Sequence, residues 1–216
     1  MDYDVFYTMF LAEMPVRLNG NNDFSVQLEM IRENLQYNPE VDEIRPGICK
    51  TQNDDQYTYW VGDPTAQKVY LIVDVIIEHK FAKIKLVSKN PDLSAGSQPY
   101  ASDLYMIIQD DLGSNIALRS DKFLSSDGEK IWRRLVSNGR HIGVFDSSSG
   151  KYILTRIETA DQLSSYIGGF DKENYVFVIS ETLQKFAGLN HSFKILEIKR
   201  LSGYPLTELF SRMKSK

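Results

Sequence analysis

The chain has 216 residues, 42% of them hydrophobic and 25% charged, with a formal charge of −4 and a pI near 5.5. That usage belongs to a packed globular protein and excludes a fibrous or disordered one. The acidic balance argues against a broad nucleic-acid surface, because phosphate contacts need a basic face.

The length suits one core with an elaborated end, expected as residues 1–158 carrying the core and 159–216 as an α/β extension of the same domain. The lone cysteine, Cys49, has no disulfide partner and no CxxC spacing, which fits a reducing compartment. The N-terminal Met-Asp-Tyr-Asp lacks the basic region of a secretory signal, and the most apolar run, Val69 to Ile77, is interrupted by Asp74. The run reads as a buried strand, so the expected location is the cytoplasm and no membrane partner is implied.

In chain order, Tyr3, Phe6, Tyr7, Phe10, Leu11 and Met14 fall at helical spacing before Pro15. Phe24 to Gln36 predicts a second helix that stops at Asn38-Pro39. Tyr57 to Gly62 and Lys68 to Glu78 predict a hairpin across Asp63-Pro64, with Ala82 to Ser88 as a third antiparallel strand. A Ser/Gly/Gln/Pro loop, Leu93 to Pro99, leads to a helix over Tyr100 to Gln109 and a short strand over Asn115 to Ser120. Ser125 or Ser126 caps a helix to Ser137, with Ile131, Trp132, Leu135 and Val136 inward and Asn138-Gly139 as its stop.

His141 to Phe145 and Lys151 to Ile157 then pair across Ser147 to Gly150. A helix near Asp161 to Tyr166, a strand Tyr175 to Ile179, a helix Glu181 to Phe186, a strand Phe193 to Ile198 and a helix from Pro205 follow. The fold class is α/β, of the mixed-sheet α+β kind.

Glu78 and His79 end a strand and are the candidates for a general base, and Tyr105 is a candidate proton donor. Asp121, Ser125, Ser126 and Asp127 read as caps, and Arg133, Arg134, Arg140, Arg212, Lys214 and Lys216 as solvated faces. His79, His141 and His191 are scattered without a GxSxG elbow or metal-ligand spacing, so neither a hydrolase triad nor a metal site is expected. A protein partner is expected to use the C-terminal extension or the aromatic strand Tyr57, Tyr59, Trp60.

The order of helices, antiparallel meander, strand, loop, helix, strand, helix and closing hairpin, from Phe24 to Ile157, resembles the GCN5-related N-acetyltransferase (GNAT) fold. The segment ASDLYMIIQDDLGSNIALRSDKFLSSDGEKIWRRLVSNGRHIGVFD, Ala101 to Asp146, is similar to divergent bacteriophage-encoded members. The resemblance implies that acetyl-CoA binds where two parallel strands splay. The strand edge at Leu86 and Val87 would pair with pantetheine, and Gly96, Ser97, Gln98, Ala101 and Ser102 would cradle the pyrophosphate. Pro99 withholds one amide from that loop, and Trp132 stands where many relatives carry a thiolate-protonating tyrosine. The implied function is acyl-CoA-dependent N-acyl transfer to an amine. The alternative is a catalytically inactive scaffold acting as a phage-encoded interaction or virion-associated protein.

Overall fold

A computed structural model describes residues 20–94, 96–168 and 170–179. The helix expected over Tyr3 to Met14 and the three elements expected after Glu181 lie outside the described residues.

Helix α1, Gly20–Tyr37, buries Phe24, Gln27 and Ile31 as one stripe and stops where Asn38 bonds back to the Asn34 carbonyl. Five strands follow as a continuous antiparallel meander: β1 Asp42–Arg45, β2 Ile48–Asn53, β3 Gln56–Gly62, β4 Val69–Glu78 and β5 Phe81–Lys89. The first two are additions to the sequence reading. Their signal was present in Pro46-Gly47, whose glycine has φ +72 as the third position of a type II turn requires.

The second half alternates strands and helices: α2 Ala101–Leu112, β6 Ala117–Arg119, α3 Ser126–Ser137, β7 Ile142–Asp146, β8 Lys151–Leu154, α4 Ala160–Ser164 and β9 Tyr175–Ile179. Ser125 caps α3 by accepting from the Gly128 amide at 3.0 Å. Gly139, at φ +75, closes the helix with bonds from Gly139 to Val136 and from Arg140 to Leu135, the paired bonds of a Schellman stop. Strand β8 is shorter than expected, because the chain leaves the ladder at Leu154 and Ile157 returns to the Ile142 carbonyl.

Among the described residues nine strands form one mixed sheet in the order β1-β2-β3-β4-β5-β6-β9-β7-β8. The β5–β6 pair is parallel and every other pair antiparallel. Strand β9 lies inside the sheet, between β6 and β7. Pleat alternation divides the core between the two faces. Phe24, Ile31, Cys49, Trp60, Val69 and Ile72 pack under α1, while Tyr59, Val73, Ala82, Leu104, Trp132 and Phe177 pack with α2 and α3 on the other side.

Among the described residues no helix is long and apolar enough to cross a membrane. Tyr59 and Trp60 are fully buried on opposite faces, so this strand does not present them as a contact surface.

Gly62 sits at a bulge where β3 meets β4, and a Cβ there would stand 2.2 Å from the Lys68 carbonyl oxygen. Backbone cannot yield as a flexible side chain does, so Gly62→Ala is expected to cost about 2 kcal/mol or more in urea unfolding. An unchanged midpoint and slope would show that the bulge can shift freely.

Candidate functional site

The parallel ladder between β5 and β6 is three residues long: Phe81, Ala82 and Lys83 face Ala117, Leu118 and Arg119. Beyond it β5 keeps its pairing with β4 to Lys89, but β6 ends. Two local features mark the parting. Ser120 turns toward β9, donating its amide to the Phe177 carbonyl at 2.8 Å and accepting the Phe177 amide on its hydroxyl at 2.9 Å. In β5, Lys85 is the extra residue of a bulge between the pairs Asp74–Leu86 and Val75–Ile84, and a bulge bends and twists its strand. Leu86 and Val87 therefore lie on an edge of β5 that β6 does not cover.

Glu78 is level with Phe81, and its carboxylate is ion-paired with the Arg119 guanidinium at the last rung of the ladder. That guanidinium lies 5.9 Å from the Phe81 ring centroid. Lys83 reaches Asp121 at 3.5 Å across the same point. The charges at the apex are thus paired with one another. His79 is exposed in the β4–β5 turn at φ +57, a left-handed conformation that the tight connection imposes.

Tyr105 lies on the other face, buried against Trp132 with ring centroids 5.8 Å apart. Burial pushes its phenol well above the usual range, and its hydroxyl has no hydrogen-bond partner among the described residues. Trp132 also packs 5.8 Å from Phe177, which makes it a central core residue.

The loop before α2 is tied to the end of β5, where the Lys89 ammonium donates to the Ser97 carbonyl oxygen. Ser97 spends its own amide and hydroxyl on the Ser94 carbonyl, at 3.1 and 2.7 Å. Gly96 is exposed at φ +76, Gln98 is exposed, and Gln98-Pro99 is cis. Tyr100 holds the cap position in an extended conformation without a side-chain cap, and the Arg134 guanidinium stacks 3.5 Å over its ring. The amides of Ala101 and Ser102 are unused among the described residues, because the first helical bonds come from Asp103 and Leu104 to Tyr100. Asp103 adds a carboxylate to the same turn.

Three features escaped the sequence reading. Gln109 on α2 donates to the Ile116 carbonyl at 2.8 Å and accepts the Leu118 amide at 2.7 Å, completing β6 as a neighbouring strand would. Arg119 anchors Glu78. Asp74, seen in the sequence as a flaw in an apolar run, accepts from Thr58 and Gln27 beneath α1.

Asp121 pairs with Lys83 and Asp127 with Lys130, while Arg133 binds Glu129 and the Ala160 carbonyl. Among the described residues no group of His, Cys, Asp and Glu is placed to hold a metal ion. No protein-family model matches this chain, and comparison with curated proteins and with solved structures finds no match.

Cys49 is buried, and burial, with Glu43 and Asp63 nearby, pushes its thiol up to about 11. Only about one thiol in a thousand is ionised at pH 8 by that value, so native Cys49 is expected to resist iodoacetamide and to label once urea unfolds the chain. Equal labelling rates in the two states would contradict the burial.

Proposed function

We propose that the chain is an acyl-CoA-dependent N-acyltransferase-like protein of the GNAT type, using acetyl-CoA as donor and an amine as acceptor. The observation that carries this reading is the parting of β5 and β6 after Lys83 and Arg119, with an uncovered β5 edge at Leu86 and Val87. The unused amides of Ala101 and Ser102 at the start of α2 add to it. An extended pantetheine arm carries amides that suit a free strand edge, and its pyrophosphate suits a helix N-terminus with Lys89 and Arg134 close by.

In the proposed reaction the neutral amine attacks the thioester carbonyl, the C–S bond breaks, and the thiolate leaves as the new amide forms. The nitrogen must give up a proton and the sulfur must gain one. Glu78 reaches the apex through Arg119, and to accept the proton it must exchange that partner for the amine.

A second reading, a catalytically inactive scaffold whose function is to bind another protein, is favoured by that same ion pair and by the burial of Tyr105. The first occupies Glu78 and the second withdraws Tyr105 from the apex.

Titration calorimetry with acetyl-CoA separates the readings. Saturable binding is expected, and Ala101→Pro is expected to weaken it about tenfold, the worth of one charge-assisted hydrogen bond. Proline suits the first helical position, and Tyr100 already has the extended conformation that a following proline requires. Absence of any heat at millimolar acetyl-CoA would remove the acyl-CoA reading and leave the scaffold.

A further inference from the structure

Asp74 lies on the α1 side of β4, and three elements reach it or its partner. Thr58 of β3 donates its hydroxyl to one carboxylate oxygen at 2.7 Å. Gln27 of α1 donates its amide nitrogen to the other at 2.7 Å. The Gln27 carbonyl oxygen in turn accepts from the Ser88 hydroxyl of β5. Gln27 and Ser88 are both buried, 4% and 5% exposed, so this chain of bonds runs through the seam where α1 meets the sheet.

We propose that Asp74, Gln27 and Ser88 form a proton-operated latch, which holds α1 against the sheet more tightly when Asp74 is protonated than when it is ionised.

The bond inventory gives the mechanism. An ionised Asp74 only accepts, so Gln27 must turn its NH2 to it and its oxygen to Ser88, which is the arrangement described. All groups are then paired, but a negative charge lies under the helix. Lys85 of β5 is the charged side chain acting on it, and that side chain is exposed. Lys83, on the same face, is paired with Asp121. On α1, Glu29 and Glu33 lie on the exposed side, and Arg32 is tied to the Ala66 and Gln67 carbonyls.

Burial therefore outweighs Thr58, Gln27 and Lys85 and lifts the Asp74 carboxyl above its usual range. A protonated Asp74 needs an acceptor where the Gln27 NH2 stood. A half-turn of the Gln27 amide supplies one, sending its oxygen to Asp74 and its NH2 to the Ser88 oxygen. Asp74 and Gln27 are paired again and no charge is buried, while the Ser88 hydroxyl changes from donor to acceptor and its proton turns away from Gln27. Glutamine suits this exchange because its two ends are nearly equal in shape and opposite in hydrogen-bonding sense.

The sign follows from linkage. A carboxyl raised in the docked state contributes stability that is complete below the ordinary aspartate range and fades as pH climbs through the raised value. Arg32 ties α1 to the Ala66 and Gln67 carbonyls and takes no part in the Asp74 network. The response therefore falls on Gln27 and is felt as loosening of α1. The latch does not rest on the acyl-CoA reading.

The test is carbon NMR of the Asp74 carboxyl, together with amide hydrogen exchange of α1, across about pH 4 to 8 and corrected for intrinsic rates. Asp74 is expected to titrate above the ordinary range. Protection of α1 is expected to fall through the same midpoint, by about tenfold for each unit of the raise, while α2 and α3 hold steady. Asp74→Asn mimics the protonated state, its NH2 replacing the acid proton, and is expected to keep α1 protected at every pH. An Asp74 titration in the ordinary range overturns the latch, and so does α1 protection that ignores that titration. The wild-type measurement alone decides the matter if the variant does not fold.

Discussion

Three rungs of parallel ladder between β5 and β6 hold the two halves of this sheet together. On one side lies a five-strand meander whose neighbours are consecutive in the chain, a topology in which each strand finds its partner through a short turn. On the other side lie β9, β7 and β8, reached through helices and a late return. The β5–β6 contact must exist for the halves to share a core, yet it stops at Arg119, and Ser120 bonds to β9. Gln109 supplies the hydrogen bonds that so short a strand lacks, and without them the Leu118 amide would be buried and unpaired.

This arrangement leaves an edge of β5 uncovered in the interior of a sheet, where exposed backbone would ordinarily invite pairing. The bulge at Lys85 and the loop tied down by Lys89 bound that edge. A free edge and a helix N-terminus whose amides are unused each suit part of an extended ligand carrying amides and an anion, and the acyl-CoA proposal draws on both. The same geometry gives the chemistry little help. Glu78 reaches the apex only as the partner of Arg119, and Tyr105 faces the core.

The two faces of the sheet are also built differently. Under α2 and α3 the packing is apolar and aromatic, centred on Trp132 between Tyr105 and Phe177. Under α1 a carboxylate, an amide and two hydroxyls run through the middle of the contact. A single substitution in the first region removes packing. In the second it leaves a partner unsatisfied, and the protonation state of Asp74 has the same kind of effect from within.

Much of the local structure was legible because it is encoded locally. The alternation in Tyr57 to Gly62 and Lys68 to Glu78, the cap at Ser125 and the stop at Asn138-Gly139 each depend on residues a few positions apart. The first two strands were missed although Pro46-Gly47 marked their turn, because Asp42 to Arg45 has too few apolar residues to show a period.

Leu86, Val87, Ala101 and Ser102 were singled out from the order of elements, which local patterns carry, while the pairing of Glu78 with Arg119 joins side chains 41 positions apart. The sequence by itself determined the described helices, the last three strands of the meander and a short strand within Asn115 to Ser120, since turn chemistry and periodicity act over a few residues. Only the tertiary structure decided that β9 enters beside that strand, that Ser120 bonds to Phe177, and that Asp74 meets Gln27, because these contacts join residues far apart in the chain that no local pattern links.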